Sequence, residues 1–365
     1  MVSDLKILTL TGTRPELIRL SVILTKLDKL CNHIHVYSNQ NYDAALSTVF
    51  FEELRLRKPN YYFTKADGLG DFLSNGYRQF NKILDIESPD RILVLGDTNS
   101  GLLSVLAAKR GIPIYHMEAG NRCYDDRVPE ELNRRIIDTS STINLPYTEN
   151  SKQNLLREGY HKNQVFKTGN PIQEVLMQYE KDIDGSNVLH RMNIAPNEYS
   201  LLTLHRAENI ENRIELSNIV SAINKISEYM RVVYPIHPHT KSKLKEYNLS
   251  FSRGVKTISP LGFFDFCKLE KYARVVFTDS GTIPEETSIL GRPCIVLRNS
   301  TERQELLENG GVLLAGTRRD DIVRAFGSIL EMEQSWQVPD EYSKKNVSET
   351  VLRILLGRKE KGGWM

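Results

Sequence analysis

Short apolar runs alternate with longer amphipathic stretches along the whole chain. Polar or glycine-bearing turns bound each run, and this alternation predicts parallel strands covered by helices on both faces, which is an α/β fold. In the first half the predicted strands are Lys6–Thr11, His33–Tyr37, Arg91–Leu95, Pro113–Met117 and Ile143–Pro146. Helices are predicted between them, for instance at Pro15–Leu30 and Ser100–Arg110.

A second series of alternating elements follows a predicted hinge at Gly169-Asn170-Pro171, through which a helix is not expected to run. Its strands are predicted at Ser200–Leu204, Arg231–Ile236, Val255–Ile258, Val275–Thr278, Cys294–Leu297 and Val312–Leu314. A chain of 365 residues also exceeds one ordinary core. We therefore expect two doubly wound domains, residues 1–170 and 171–345. A helix that includes Thr350–Leu356 and a frayed tail are expected within residues 346–365.

The composition is that of a soluble globular protein, with 40% hydrophobic and 26% charged residues. A net charge of +2 gives no reason to expect nucleic acid or an anionic membrane as a partner. No apolar run approaches the roughly 20 residues needed to span a bilayer, and the amino terminus lacks a secretory apolar region, so a cytoplasmic location is expected. The four cysteines lack a CxxC pair, which predicts reduced thiols instead of a metal site or a disulfide frame.

The most informative turn is TDSGTIPEE at residues 278–286, which follows a mostly apolar run. A buried strand here delivers a polar turn to the carboxyl edge of a sheet, directly before a helix. Exposed backbone N–H groups at such a helix start, with Ser280, Gly281 and Thr282 in the turn, are typical of an anion site. Glu285 and Glu286 can bind sugar or ribose hydroxyls, which points to a nucleotide-linked polyol. An ordinary βα loop with a serine N-cap explains the turn equally well.

The turn after the first predicted strand, GTRPE, has similar features. Pro15 suits the first helical position, and Gly12 allows the backbone to come close to a ligand. Arg14 lies in the turn and Arg19 about one helical turn further on, so both can reach one diphosphate. The alternative of two solvated arginines on a surface helix stays open, more for Arg19 than for Arg14. Neither a Walker loop nor GxGxxG is present in this turn.

Carboxylates follow the strands of the first half at the same predicted edge. Asp97 follows one strand in VLGDTNS, Glu118 follows the next in HMEAGNR, and Glu130 and Glu131 lie in RVPEELNRR. Helix N-capping explains Asp97 alone about as well as catalysis does. Three acids from adjacent loops are typical of acid–base chemistry, because close carboxylates raise the pKa of one of them.

Histidines follow the strands of the second half. His205 follows a strand in LLTLHRAEN, where it can bind a phosphate, carry a proton or cap a helix. His237 and His239 flank a proline with a spacing that matches no helical zinc motif. No metal site is therefore predicted.

Seven motifs occur in the order seen in non-hydrolysing UDP-N-acetylglucosamine 2-epimerases: GTRPE, GDTNS, HMEAGNR, PEELNR, LHRAEN, TDSG with its EE pair, and TERQE. The chain resembles that family from Leu8 to about Leu314. The resemblance implies a GT-B architecture, with two Rossmann-like doubly wound domains facing a central cleft and a carboxyl-terminal helix that crosses back to the first domain. It also implies interconversion of UDP-GlcNAc and UDP-ManNAc, without a metal or nicotinamide cofactor, by a cytoplasmic homodimer that supplies surface polysaccharide precursors.

The same resemblance implies a role for each matching residue. Asp97, Glu118 and Glu130 match the three catalytic acids, and His205 matches the histidine beside the diphosphate. The implied route removes the C2 proton with anti elimination of UDP, and UDP then adds back to the bound 2-acetamidoglucal. Phe266 falls where the family stacks an aromatic ring on uracil, although simple core packing explains it as well. The implied substrate-binding residues are Arg14, Arg19, Arg134, Phe266, Ser280, Gly281, Thr282, Glu286 and Arg303.

The chain also departs from the family pattern. The family usually has lysine at the position of Arg19 and proline at that of Gln304. SNQNYD at Ser38–Asp43 replaces the GQH segment of a site where UDP-GlcNAc activates bacterial members, so such regulation stays open. Segments such as NQNYD, MEAGNRC, INLPYTE and PLGFFDF resemble the branch that forms UDP-N-acetyl-L-fucosamine. The substrate of that branch, UDP-2-acetamido-2,6-dideoxy-L-talose, is therefore a close second candidate. A GT-B glycosyltransferase is the alternative from another class, and the three acids argue against it.

Overall fold

The computed structural model describes residues 3–40, 44–126 and 128–357, and the chain forms two compact domains. The first comprises Met1–Gln178 together with Glu341–Met365, and the second is Tyr179–Asp340. The chain therefore enters the second domain after Gln178, beyond the expected hinge at residues 169–171, and it returns to the first domain at Glu341.

The first domain is built on one parallel sheet. Its strands are β1 (Ser3–Thr11), β2 (Cys31–Tyr37), β3 (Tyr61–Tyr62), β4 (Arg91–Leu95), β5 (Ile114–Met117) and β6 (Ile143–Leu145). Its helices before the first crossing are α1 (Arg14–Leu30), α2 (Ala44–Glu53), α3 (Gly68–Glu87), α4 (Asn99–Leu102), α5 (Ser104–Lys109), α6 (Pro129–Ser140), α7 (Glu149–Arg157) and α8 (Ile172–Gln178). The order across the sheet, β3-β2-β1-β4-β5-β6, is that of a dinucleotide-binding doubly wound sheet.

Strand β1 shows why these runs are apolar at nearly every position. Successive side chains of a strand point to opposite faces of the sheet. Ile7 packs with Leu20 and Ile23 of α1, whereas Leu8 packs with Phe80 of α3 in a separate cluster. Both faces are therefore buried beneath helices.

The second domain repeats the architecture with another parallel sheet. Its strands are β7 (Tyr199–Thr203), β8 (Arg231–Pro235), β9 (Val255–Ile258), β10 (Val275–Thr278), β11 (Cys294–Val296) and β12 (Val312–Leu314). Its helices are α9 (Glu180–Gly185), α10 (Val188–Met192), α11 (Ala207–Ile210), α12 (Arg213–Ile226), α13 (Pro238–Glu246), α14 (Phe263–Tyr272), α15 (Ile283–Ile289), α16 (Gln304–Glu308) and α17 (Arg319–Glu331). The order β12-β11-β10-β7-β8-β9 is the same doubly wound order read from the other edge.

The last described helix, α18 (Val347–Leu356), belongs to the first domain. Lys26 Nζ of α1 donates to Ser348 Oγ at 2.7 Å, and the Ser348 N–H donates to Glu174 Oε2 of α8 at 2.8 Å. Val351 and Leu355 join the apolar cluster that contains Ile7 and Leu20. The tail that was expected to fray lies outside the described residues.

The predicted fold class is confirmed: both Rossmann-like domains of a GT-B protein are present, and every predicted strand is found. Strand β3 was missed because it has only two residues. The predicted helix Ser100–Arg110 is two helices, α4 and α5, which meet at Leu103. Within the described part of the chain no disulfide joins the cysteines, and no helix has the length and apolarity needed to cross a membrane.

Candidate active site

The candidate residues of the first domain follow three neighbouring strands at their carboxyl ends. Arg14 comes after β1, Asp97 after β4 and Glu118 directly after β5. Strands β2 and β4 flank β1 on opposite sides, so the strand order reverses between β1 and β4. Doubly wound sheets bind ligands at such a switch point.

The GTRPE turn is held together by its own glutamate. Glu16 Oε2 accepts hydrogen bonds from the N–H groups of Gly12 and Thr13, at 3.0 and 2.7 Å, and from Thr13 Oγ1 at 2.7 Å. Thr98 Oγ1, in the turn after β4, donates to Glu16 Oε1 at 3.1 Å. Burial raises the pKa of Glu16 to about 7, although these donors favour the carboxylate. Glu16 therefore ties two strand-end turns together.

Gly12 and Arg14 differ in what they contribute to this turn. A Cβ at Gly12 would overlap the hydroxyl groups of Ser38 and Ser100, so the glycine is required by packing within the chain. This corrects the expectation that Gly12 serves close approach of a ligand. Arg14 is the first residue of α1, half-buried, with its guanidinium carbon 5.6 Å from the ring centre of Phe50. Arg14 remains a candidate for phosphate binding.

Arg19 and Glu118 form a buried ion pair. Arg19 Nη1 lies 2.8 Å from Glu118 Oε2, and the two side chains are 3% and 8% exposed. Asn121 Nδ2 donates to Glu118 Oε1 at 3.2 Å. Glu118 also has a φ of +66°, in the left-handed region that residues other than glycine rarely adopt. The alternative of a solvated Arg19 is therefore wrong, and Glu118 combines backbone strain with a fixed carboxylate, a combination found at functional sites.

A fully buried network fixes the segment around this strained glutamate. His116 Nε2 lies 2.8 Å from the Gly96 carbonyl oxygen, which can only accept, so Nε2 carries a hydrogen. His116 Nδ1 lies 2.8 Å from Asp138 Oδ1, and Asp138 Oδ2 lies 2.8 Å from Arg122 Nη2. The Gly120 N–H also donates to Asp138. The residues on both sides of position 118 are thus bound to one aspartate of α6.

Arg134 joins Asp97 to helix α6. Its Nε and Nη2 atoms lie 2.9 and 2.7 Å from Asp97 Oδ2, and its Nη1 lies 3.0 Å from Glu131 Oε2. Asn133 Nδ2 donates to the backbone carbonyl of Asp97 at 2.9 Å. Glu130 is the second residue of the same helix and is half-buried. Arg134 therefore holds one candidate acid against the helix that carries another.

Glu131 stabilises the position of Arg134 from within the same helix. It accepts a hydrogen bond from the Cys123 N–H at 3.1 Å and lies 3.2 Å from Arg135 Nη2. Burial would raise the pKa of Glu131, but the Cys123 N–H and the charge of Arg134 together hold the pKa below its usual value. Glu131 is therefore an ionised structural partner of Arg134.

In the second domain the strand order reverses between β7 and β10. Asp279, which directly follows β10, is fully buried and accepts hydrogen bonds from the N–H groups of His205 and Arg206 at 3.0 and 2.9 Å. Asn209 Nδ2 donates to the same carboxylate at 3.3 Å. His205 Nδ1 lies 3.4 Å from Asp279 Oδ1, and its side chain is 45% exposed. Asp279 thus fastens the turn after β7 and holds an accessible imidazole at the edge of the sheet.

The turn at residues 280–282 uses its amides internally. The Ser280 N–H donates to Thr278 Oγ1 at 2.9 Å, and the Thr282 N–H donates to Ser280 Oγ at 3.2 Å. A Cβ at Gly281 would overlap Glu302 Oε1 and would lie 3.5 Å from Arg206 Nη2. The expected cradle of exposed amides is therefore wrong for Ser280 and Thr282. The turn instead presents two hydroxyl groups, with a guanidinium beside Gly281.

The two glutamates of the EE pair have different environments. Glu285 is fully buried and its Oε1 bonds Arg303 Nε, so it positions this arginine and does not take the hydroxyl-binding role expected for it. Glu286 is 6% exposed and lies beside Glu270. Phe266, on α14 one turn before Glu270, is half-buried against an apolar cluster of the domain.

Comparison with known proteins identifies the family. The model of the UDP-N-acetylglucosamine 2-epimerases matches residues 25–356. The UDP-N-acetylglucosamine 2-epimerase of Methanocaldococcus jannaschii is 38% identical over 363 residues, which are 96% of this chain and 99% of the relative. The chain belongs to the UDP-N-acetylglucosamine 2-epimerase family. It is therefore an epimerase, an isomerase, and not a glycosyltransferase.

A solved structure and one further relative of this epimerase are known with UDP-sugars. A crystal structure of the M. jannaschii enzyme in complex with UDP-GlcNAc and UDP matches with a TM-score of 0.92, at 38% identity, over 96% of this chain and 99% of that one. A UDP-2,3-diacetamido-2,3-dideoxy-D-glucuronate 2-epimerase of Pseudomonas aeruginosa is 34% identical over 88% of this chain and 91% of the relative. Close relatives of this epimerase thus act on different UDP-sugars.

The structure of the epimerase pairs Asp97 with Arg134 and Glu118 with Arg19 after the neighbouring strands β4 and β5, with Glu130 on the same helix as Arg134. It places His205 and Ser280 after the two central strands of the second domain. The roles of these residues in catalysis and binding stay predictions. Sequence reasoning missed the buried residues that position them, although most lie inside the quoted motifs: Glu16, His116, Arg122, Asp138, Asp279 and Glu302.

Proposed function

We propose that this epimerase interconverts UDP-GlcNAc and UDP-ManNAc by reversible elimination of UDP. The observation that carries the proposal is the set of acids at one switch point, of which Glu118 is paired with Arg19 and Asp97 with Arg134. In the proposed reaction a base removes the C2 proton, a C1=C2 double bond forms and UDP leaves C1. Protonation of C2 on the opposite face and return of UDP to C1 complete the epimerisation.

The residues of the first domain supply the proton transfers in this proposal. Asp97, Glu118 and Glu130 are the acid and base groups, and buried guanidinium groups keep the first two carboxylates in place. Arg134 acts as a positioning residue for Asp97 in this proposal, since its guanidinium binds both Asp97 and Glu131. Arg14 provides a cation for the leaving diphosphate.

The residues of the second domain hold UDP in the same proposal. His205, Ser280, Thr282 and Arg303 bind the diphosphate, since they present an imidazole, two hydroxyl groups and a guanidinium. Gly281 leaves the room that Glu302 and Arg206 require. Glu286 accepts hydrogen bonds from the ribose, and Phe266 stacks on uracil. The homodimer and the cytoplasmic location expected from the resemblance stay predictions.

The second candidate substrate is UDP-2-acetamido-2,6-dideoxy-L-talose, which would give UDP-N-acetyl-L-fucosamine. The departures of the chain from the common family pattern, including Arg19 and Gln304, favour this branch. The chemistry at C2 is the same for both sugars. A pocket discriminates strongly against a sugar that lacks the C6 hydroxyl only if the pocket hydrogen-bonds that hydroxyl.

The direct test is incubation with each candidate UDP-sugar in deuterated water, with C2 exchange and epimer formation followed by NMR. We expect deuterium at C2 of both epimers of the true substrate. Glu118→Gln and Glu130→Gln should each lower kcat by about 10²–10⁴-fold with little change in UDP binding, as expected for acid–base groups. Glu174→Gln is the matched control, because Glu174 binds Ser348 of α18 and should affect folding only. Exchange without any epimer, or full turnover in the Gln variants, would refute the proposal.

A further inference from the structure

Three polar side chains meet in the interior of the second domain, between helices α14 and α15. The ligand-capable atoms of Cys267, Glu270 and Glu286 all lie within 4.8 Å of one another. Glu270 is completely buried, whereas Glu286 is 6% exposed. The cluster therefore has one member with access to the surface, and that member is the proposed ribose ligand.

The buried carboxyl group of Glu270 lacks an N–H or O–H hydrogen-bond donor among the described residues. The group that faces it is the carboxyl of Glu286. Two ionised carboxylates at this separation repel, and a buried ionised carboxylate with no donor is strongly disfavoured. One proton between the two groups removes both problems, because a neutral carboxylic acid donates a hydrogen bond to its neighbour.

The proton belongs on Glu270. Burial, and then the charge and hydrogen bond of Glu286, raise the pKa of Glu270 well above its usual value. Among the described residues, the other titratable groups beside Glu270 are thiols: Cys267 lies on the same helix, and Cys294 lies on β11, where burial raises the Cys294 pKa. Neither thiol supplies a positive charge that would stabilise an ionised Glu270.

We propose that Glu270 is a neutral carboxylic acid whose hydrogen bond to Glu286 orients the Glu286 carboxylate to accept the ribose hydroxyls of the bound nucleotide. Glu270 is then a positioning residue that determines selectivity for the ribose diol. Helix α14 also carries Phe266 one turn earlier, so the same helix positions the proposed partners of both the base and the sugar. This inference rests on the proposed function, since it takes Glu286 as the ribose ligand.

A metal ion is the competing explanation of the same cluster. A structural zinc ion takes four ligands, whereas this buried group offers one sulfur and two carboxylates among the described residues. A shared proton needs no fourth ligand. The geometry therefore favours the hydrogen bond, and the test includes the metal as an outcome that would overturn it.

The test compares UDP with 2′-deoxy-UDP as ligands of the full chain by isothermal titration calorimetry. Glu270→Met removes the donor and keeps the length of the side chain, whereas Glu270→Gln keeps a donor that does not titrate. We expect Glu270→Met to weaken UDP binding about tenfold or more, the loss expected for a hydrogen bond to a charged group, with a smaller loss for 2′-deoxy-UDP, which keeps only the 3′-hydroxyl as a donor to Glu286. Glu270→Gln should restore most of the difference between the two ligands.

The pH dependence gives a readout that a merely structural role would not move. Raising the pH removes the shared proton, so the preference of the wild type for UDP over 2′-deoxy-UDP should fall at alkaline pH, and Glu270→Gln should show no such fall. Cys267→Ala is the matched control and should keep the wild-type preference. Three results would overturn the inference: Glu270→Met keeps the wild-type preference for UDP over 2′-deoxy-UDP, Cys267→Ala loses that preference, or the wild type loses it on treatment with EDTA.

Failure of this inference is distinguishable from failure of the proposed function. If the wild type catalyses C2 exchange and binds UDP, but Glu270→Met discriminates the two ligands as the wild type does, only the role of Glu270 is wrong. If no UDP-sugar exchanges at C2 although UDP binds, the reaction is wrong and the ligand comparison still tests Glu270. A folding defect in Glu270→Met would weaken both ligands equally, and thermal unfolding of the variant measures it directly.

Discussion

Replacement of Arg134 by methionine should destabilise the first domain and impair catalysis together. Arg134 is 3% exposed and contacts two carboxylates, Asp97 at 2.7 Å and the buried Glu131 at 3.0 Å. Removal of one partner of a buried ion pair leaves an uncompensated charge and costs about 3–5 kcal/mol. A domain of about 200 residues loses roughly 2–4 °C of Tm for each kcal/mol. Arg134→Met should therefore lower the Tm by about 6–20 °C.

Arg135→Met is the matched control for this prediction. Arg135 lies next to Arg134 on α6 and contacts the same acid, Glu131, at 3.2 Å, but its side chain is 45% exposed. An exposed helical pair of this kind contributes only about 0.3–0.5 kcal/mol. The expected change in Tm is thus at most about 2 °C. The two variants share the helix and the partner acid Glu131, and they differ in burial and in the second ion pair that Arg134 forms with Asp97.

Activity separates the two roles assigned to Arg134. Its Nε and Nη2 atoms bind one oxygen of Asp97, and a misplacement of about 1 Å at a catalytic group can reduce the rate by about 10²-fold. Arg134→Lys keeps the positive charge but loses the planar guanidinium that donates two hydrogen bonds to Asp97. Compared with Arg134→Met, it should therefore recover part of the stability and little of kcat. Calorimetry and the C2 exchange assay measure both quantities. Equal unfolding midpoints for the Arg134→Met and Arg135→Met variants would refute the reasoning from burial.

Three further predictions concern other parts of the chain. Gly120→Ala should destabilise the protein by about 2–5 kcal/mol in chemical denaturation, because φ is +77° and a Cβ would overlap the Ser151 carbonyl oxygen, whereas Gly185→Ala meets no atom and should change stability by less than about 1 kcal/mol. The pKa of Glu16 is raised from 4.5 to about 7, so Glu16 binds its proton more tightly in the folded state. As the pH rises from 4.5 to 7, the free energy of unfolding of the wild type should therefore fall by about 3 kcal/mol, and that of Glu16→Gln should not. Epimerisation should persist after dialysis against EDTA, and activity that returns only with a divalent ion would show that a metal takes part.

The strands and their polar carboxyl ends could be predicted because both are local properties of the sequence. Strand β1 has apolar side chains on both faces, and the helix after it begins at Arg14 with a proline in its first turn. Such patterns lie within one stretch of sequence. They locate the carboxyl ends of the strands, and with them the candidate acids, whereas the strand order that defines the switch points comes from the structure.

The partners of those acids could not be predicted in the same way. Arg19 and Glu118 are 99 residues apart, and Arg134 and Asp97 are 37 apart. An arginine on an amphipathic helix has the same local pattern whether it faces solvent or a buried carboxylate. The alternative of a solvated Arg19 stayed open for this reason. The use of the Ser280 and Thr282 amides by hydroxyl groups two residues away was missed for a different one, because it depends on side-chain rotamers that the residue pattern does not fix.

A carboxylate fastens the first strand–helix turn of both sheets, and this has a consequence for anion binding. Glu16 accepts the amides of Gly12 and Thr13, and Asp279 accepts those of His205 and Arg206. In dinucleotide-binding sheets the amides of this turn bind the pyrophosphate. Here the same amides already have anionic acceptors, so we expect the diphosphate of the proposed substrate to be bound by side chains that extend beyond them. Each turn carries one of the proposed ligands at that point, Arg14 directly after Thr13 in the first domain and the exposed imidazole of His205 in the second. Binding through side chains would suit the proposed reaction, in which the diphosphate leaves C1 and returns, because a side chain can follow the moving group while backbone amides stay where they are.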